Sequence, residues 1–217
     1  IVLAMPSATT SRKRSLIAGL EHAGVPIKML PGLVEMVNGR ADVSDIREVD
    51  VADLLGRDAL PPQPALFAKN ISAKVVLVTG AGGSIGSELC RQIASQAPTC
   101  LVLLDHSEFA LYSIDHELRQ SHPELELVPC LGTVLEEALL TRVCLEHGVQ
   151  TIYHAAAYKH VPMVECNVQQ GLRNNIMGAQ VISRVAVASR VETCVLISTD
   201  KAVRPTNVMG ASKRAAE

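Results

Sequence analysis

The stretch Lys74-Val75-Val76-Leu77-Val78-Thr79 is a near-continuous apolar run that stops at Gly80, and Gly83 and Gly86 follow before an apolar helical pattern begins. Such a run, rich in β-branched residues and ending in glycine, reads as a buried parallel strand that enters a tight turn. The first glycine allows the turn, the middle one lets backbone N–H groups approach a pyrophosphate, and the last lets helix and strand pack closely. Ser84 and Ile85 then open the helix, with its N-terminal amides and positive dipole end facing the anion. Residues from about Lys74 onward are therefore expected to form a Rossmann-type domain that holds a dinucleotide on Gly80, Gly83, Ser84, Ile85 and Gly86. The competing reading of the same glycines is a flexible turn with no ligand.

The rest of the chain supports that context. Apolar strands over 75–79, 101–105, 125–131, 151–155 and 194–198 alternate with helical patterns over 84–95, 108–120, 135–146 and 169–189, and a last helix begins near Gly210. Strands alternating with helices predict an α/β, doubly wound parallel sheet. Upstream, a strand over 1–5, a helix over 11–23 and a strand over 27–30 make one crossover of a second, smaller α/β unit. So little chain cannot bury a core alone, so residues 1–48 read as the C-terminal part of an upstream Rossmann-like domain. The polar stretch after Gly39 and the prolines 61, 62 and 64 mark residues 49–73 as a linker before the 74–217 domain. Both ends look cut, and the whole is read as a piece of a longer protein.

Composition narrows the function classes. With a formal net charge of −2 and aromatics at 2%, the chain lacks both the basic footprint and the stacking platforms of a nucleic-acid binder, so no nucleic-acid partner is expected. The six cysteines form no CxxC pair and mostly sit in apolar runs. They read as reduced core residues of a cytoplasmic protein, with no metal site and no disulfide framework. No run of apolar residues is long enough to span a bilayer, so this part of the protein makes no membrane contact.

Three groups of residues carry candidate chemistry. The second strand ends at Asp105, where a carboxylate would accept hydrogen bonds from an adenosine ribose and repel a 2′-phosphate, favouring NAD over NADP; an ordinary strand-end aspartate is the alternative. At the end of the fourth strand, Ala155, Ala156 and Ala157 let a cofactor lie against the backbone, and Tyr158, Lys159 and His160 follow where open α/β sheets bind ligands. Lys159 would meet phosphate or substrate oxygens, unless the loop is simply basic and solvated. His154, within the strand, reads as a core residue. The fifth strand leads to Ser198-Thr199-Asp200-Lys201 and on to Met209-Gly210-Ala211-Ser212-Lys213. Asp200 and Lys201 are an adjacent acid and base, and a lysine beside a cofactor cation is pushed towards the neutral form a base needs; a surface ion pair is the alternative.

The three-residue glycine spacing resembles the short-chain dehydrogenase/reductase superfamily, whose Y-x-x-x-K motif would place a tyrosine where this chain has Met209. A thioether has no proton to exchange, so the acid and base must be other groups. Together with 79–86, 155–162, Asn174-Asn175, 198–203 and 207–213, this resembles the bacterial polysaccharide-biosynthesis nucleotide-sugar 4,6-dehydratases, in their long, membrane-anchored branch with Met in place of Tyr. The resemblance covers about two-thirds of the chain.

It implies a UDP-sugar substrate, UDP-N-acetylglucosamine, and bound NAD that takes hydride from C4 and returns it to C6. Lys201 would remove the C5 proton, Asp200 protonate the departing C6 hydroxyl, Thr199 bind the C4 oxygen and Lys213 hold the nicotinamide ribose. Lys159, His160 and Asn175 would lie towards the substrate, Asn175 also as the residue that stabilises the central helix. The Asp expected at the adenine amine is absent, Gly132-Thr133 standing there instead. The parent protein is expected to be a homo-oligomer on the cytoplasmic face of the inner membrane, and the present chain to bind NAD without turning substrate over alone. A 4-epimerase or 4-reductase of the same superfamily and a non-catalytic NAD-binding module are the competing readings.

Overall fold

The computed structural model describes residues 1–5, 8–20, 25, 27–29, 47–48 and 64–217. The chain divides into two compact units, Ile1–Pro61 and Pro62–Glu217. In the first, β1 (Val2–Leu3) pairs in parallel with β2 (Lys28–Met29), and helix α1 (Thr10–Leu20) lies between them in sequence. This is the expected crossover order, with residues 21–23 of the expected helix and 30 of the expected strand outside the described residues. A third strand, β3 (Arg47–Glu48), pairs antiparallel with β2. It was not anticipated, because two polar residues carry no apolar alternation. The proposed linker mostly falls outside the described residues, but its last part, Pro64–Ile71, forms helix α2.

The second unit is a five-stranded, wholly parallel sheet in the order β6-β5-β4-β7-β8. Its strands are β4 (Val75–Thr79), β5 (Cys100–Asp105), β6 (Glu126–Leu131), β7 (Thr151–His154) and β8 (Thr193–Leu196). Helices α3 (Ser84–Ala94), α4 (Glu108–Ser121) and α5 (Glu137–His147) connect them as the periodicity predicts. The apolar run of β4 follows from burial on both faces: Val76 and Val78 pack with Cys90, Ile93, Leu111 and Ile114, whereas Leu77 joins Val102, Ile152, Val181 and Ile182. Ser107 caps α4 by accepting from the Ala110 N–H, and α5 stops at Gly148, whose φ of +64° suits a left-handed cap.

The chain departs from the sequence reading after β7. A short helix, α6 (Val161–Cys166), comes first, and the single helix expected over 169–189 is built from α7 (Val168–Leu172), a π-helical turn (Arg173–Met177) and α8 (Gly178–Ala188). The π turn inserts extra backbone without interrupting the apolar periodicity, so the sequence pattern does not reveal it. A 3₁₀ turn (Asp200–Ala202) follows β8, and α9 (Val208–Ala216) starts before the predicted Gly210, because Asn207 caps it.

The cysteines divide. Cys90, Cys100 and Cys144 are buried and free, and burial pushes their thiols up to about 12, 11 and 11 respectively. Cys166 and Cys194 are exposed, which corrects their reading as core residues. Among the described residues, no helix is long and apolar enough to cross a membrane and no group of side chains is arranged to hold a metal ion.

Candidate active site

Strand order reverses between β5 and β7 on either side of β4, and the crevice beyond the carboxyl ends of these strands holds the site. The glycine turn closes it on one side. Gly80 has φ +69°, and a Cβ there would lie 2.7 Å from the Ala156 Cα. At Gly82 a methyl would collide with the Ala110 backbone, and at Gly86 it would lie 1.9 Å from the Gly80 carbonyl oxygen. The glycines thus let strand, turn and α3 approach at backbone distance. No side chain caps α3, so its first-turn amides point at the crevice with the helix dipole behind them. This cradle fits a pyrophosphate.

A cavity of about 470 Å³ opens from the cradle. Gly83, Ser84, Ile85 and Gly86 form one wall, Ala155, Ala157, Tyr158, Lys159 and His160 a second, and Ile197, Ser198, Thr199, Lys201, Met209 and Lys213 a third. A separate pocket of about 20 Å³ is lined by Gly80, Asp105, Ala156, Gly132 and Thr133. Asn174 also lines it, a residue that the sequence reading quoted without a role. Its only sequence signal is adjacency to Asn175, and it lies in the π turn, which sets it against this pocket.

Asp105 is 5% exposed and already accepts from the Gly82 N–H and the Ser107 N–H, both at 2.9 Å. Its carboxylate therefore braces the glycine turn, with the His106 Nδ1 3.4 Å from its Oδ1, and Asp105 also lines the small pocket. Lys159 reaches back across the cavity to donate to the Ser84 hydroxyl at 3.3 Å, which puts a cation at the N-terminus of α3. That arrangement is unfavourable with the helix dipole alone and favourable once an anion lies between them. His160 is exposed on the same wall and precedes α6.

Asn175 does not face the cavity. It is 2% exposed, its Oδ1 accepts from the Tyr158 N–H at 2.8 Å, and its Nδ2 donates to the Tyr158 carbonyl at 3.0 Å and the Ser212 hydroxyl at 2.9 Å. The expectation of substrate contact is corrected: the amide ties the loop after β7 to α9, and both its ends are spent doing so. Its reading as a residue that steadies the central helix agrees with these bonds.

The third wall carries the polar groups of interest. Thr199 caps the 3₁₀ turn, its hydroxyl accepting from the Lys201 N–H at 3.3 Å and donating to Asp200 at 3.0 Å. The Lys201 amine lies 3.7 Å from the Asp200 carboxylate, with both side chains more than half exposed. Only Lys201 of the two lines the cavity. Met209 is 3% exposed on that wall. Lys213, also buried, donates to the Ile197 carbonyl at 2.7 Å, and burial lowers its pKa, partly offset by Glu217. The start of α9 is held as well: Asn207 Oδ1 accepts from Gly210 N–H, and the Glu165 carboxylate, which the sequence reading missed, accepts from Val208 N–H at 2.7 Å.

His154 lies behind the site, 2% exposed, its Nδ1 at 2.7 Å from the Thr79 hydroxyl. Burial first, and the Lys213 charge second, lower its pKa to about 4. The unfolded chain binds this proton from about pH 6.5 downward and the folded one only near pH 4, so stability falls as pH drops through that window. Across it, the unfolding free energy should fall by roughly 3 kcal/mol on this account. Denaturant titrations between pH 7 and pH 4 check this, and an equally steep loss in His154→Gln would refute the assignment.

Residues 76–217 match the family described as polysaccharide biosynthesis protein. Capsular polysaccharide biosynthesis protein CapD of Staphylococcus aureus is 40% identical over all of this chain, which spans 36% of that protein. A UDP-glucose 4-epimerase of Rickettsia canadensis is 34% identical over 64% of the chain and 40% of its own length. Among solved structures, DesIV, a dTDP-glucose 4,6-dehydratase of Streptomyces venezuelae with NAD and TYD bound, matches with a TM-score of 0.56 and 26% identity. That match covers 65% of this chain and 48% of DesIV. The chain thus spans about a third of the length of the capsular relative.

Proposed function

The chain belongs to the polysaccharide biosynthesis protein family, and from that premise we propose that it is the cofactor-binding part of an NAD-dependent nucleotide-sugar 4,6-dehydratase acting on UDP-N-acetylglucosamine. The observation that carries the reading is Met209 on the cavity wall where a proton-exchanging tyrosine would stand, with Lys201 on the same wall. A thioether exchanges no proton, so the acid and base fall to the adjacent Asp200 and Lys201, a pair that a simple dehydrogenase or a 4-epimerase, which removes no C5 proton and loses no hydroxyl, does not need.

A bound dinucleotide would supply reversible hydride transfer, from C4 of the sugar and back to C6. The first-turn amides of α3 and the Lys159 amine would hold its pyrophosphate, and Lys213, from its anchorage on Ile197, would hold the nicotinamide ribose. The C4 hydroxyl donates to Thr199, whose own hydroxyl donates to Asp200, so the C4 hydroxyl proton passes through Thr199 to Asp200 as C4 is oxidised. With C4 a ketone, the C5 proton is acidic, and the Lys201 amine removes it. Asp200 protonates the C6 hydroxyl, the C6–O bond breaks and water leaves. As C6 is reduced, C5 takes a proton back from Lys201, and the product is a 4-keto-6-deoxy sugar nucleotide with no net oxidation. Asp200 and Lys201 also weigh against a non-catalytic module, which has no use for an adjacent acid and base. The proposed parent is a homo-oligomer at the cytoplasmic face of the inner membrane, making precursor for surface polysaccharide.

Incubating the full-length protein with UDP-N-acetylglucosamine should yield a product lighter by one water with a C4 ketone by NMR. No such product from protein that binds NAD normally would overturn the dehydratase reading. A C4-inverted sugar instead would establish the epimerase.

A further inference from the structure

Gly210 occupies the first turn of α9, next to Met209 and one turn before Lys213. A Cβ at this position would lie 2.3 Å from the Lys201 carbonyl oxygen, 3.2 Å from the Lys201 carbonyl carbon and 3.2 Å from the Pro205 Cβ. The nearest obstacle is backbone, which no rotamer change relieves. Neither partner yields easily. The Gly210 N–H is held by the Asn207 cap at 2.8 Å, while the 3₁₀ turn is tied to Thr199 through the Lys201 and Ala202 N–H groups, with Ala202 1% exposed. Alanine is the better helix former, so a glycine inside a helix calls for a packing reason. Here the reason is the contact with Lys201.

Resting on the dehydratase reading, we propose that Gly210 is a positioning residue for Lys201: its bare Cα seats the Lys201 peptide directly on α9 and so sets the distance of the Lys201 amine from Met209 and Lys213 on the cavity wall. A methyl at 210 pushes the 3₁₀ turn off the helix. The glycine cradle, built from a separate segment of the cavity lining, is unaffected by that movement.

The test compares the full-length protein with its Gly210→Ala variant, and uses Arg214→Ala, an exposed change on the same helix, as control. In Gly210→Ala, kcat should fall by about 100-fold, the scale for a catalytic group displaced by about an ångström, while KM and NAD affinity stay within severalfold. Deuterium at C5 of the sugar should slow the variant more than the unmodified enzyme, because proton removal becomes the limiting step. A second readout needs no turnover. Saturating NAD should shield Lys201 from acetylation, followed by peptide mass spectrometry, in the unmodified and Arg214→Ala proteins but not in Gly210→Ala. Unchanged shielding, or a joint collapse of melting temperature and NAD binding, overturns the proposal. If the unmodified protein makes no dehydrated product, the dehydratase reading falls, and the shielding of Lys201 alone decides the role of Gly210.

Discussion

Lys201→Ala in the full-length protein should leave NAD affinity and melting temperature unchanged and lower turnover of UDP-N-acetylglucosamine by about 10³-fold, within the range for loss of a general base. The side chain is 53% exposed, and its ion pair with Asp200 is itself solvent-exposed. Removing it is therefore a surface substitution, worth within about 0.5 kcal/mol of stability. Chemistry is where the loss should appear, because Lys201 is the lysine on the same cavity wall as Thr199 and Met209 that is neither buried nor anchored to a carbonyl as Lys213 is. Arginine should not rescue, since a guanidinium does not deprotonate at working pH. Steady-state kinetics with NAD titrations check both halves. A loss of less than about tenfold would mean that another group takes the C5 proton.

Gly86→Ala should do the opposite, weakening NAD binding and the fold together. The added methyl would sit 1.9 Å from the Gly80 oxygen and 2.7 Å from the Gly80 carbon, both backbone atoms, so α3 must move away from β4. Overpacking of this kind costs about 1–3 kcal/mol, more than the roughly 1 kcal/mol that alanine adds to a helix. Moving α3 also takes its amides off the pyrophosphate. Each hydrogen bond to a charged group contributes about 1.5–3 kcal/mol, so losing two weakens binding by about 100-fold or more. The control is Gly148→Ala, where the methyl meets nothing within 4 Å. That change carries only the strain of a left-handed backbone, and NAD affinity should not change. Calorimetric titration of NAD against both variants decides, and equal affinities would remove Gly86 from the cradle.

Much of the site was legible in advance because its requirements are local. A strand, a turn and a helix N-terminus are contiguous in sequence, so their glycines appear at the intervals the backbone geometry needs. The same holds for Thr199, Lys201, Met209 and Lys213, which two short segments bring to one wall. Asn175 was harder. An asparagine in an apolar helical pattern can face a ligand or spend its amide on the protein, and only the positions of Tyr158 and Ser212 show that it does the second. Glu165 gave no signal, because its partner is a backbone N–H 43 residues away.

By itself, then, the sequence determined the parallel α/β sheet, the anion cradle and the residue types available for acid–base work, since each depends on periodicity or on neighbours along the chain. Only the tertiary structure decided which of those residues share the cavity. It put Lys201 there, turned Asn175 inward through the π turn and brought the bare Cα of Gly210 against the Lys201 peptide. Such contacts join segments that hydrophobic pattern and local propensity treat as independent, and backbone-to-backbone distance is set only when those segments pack.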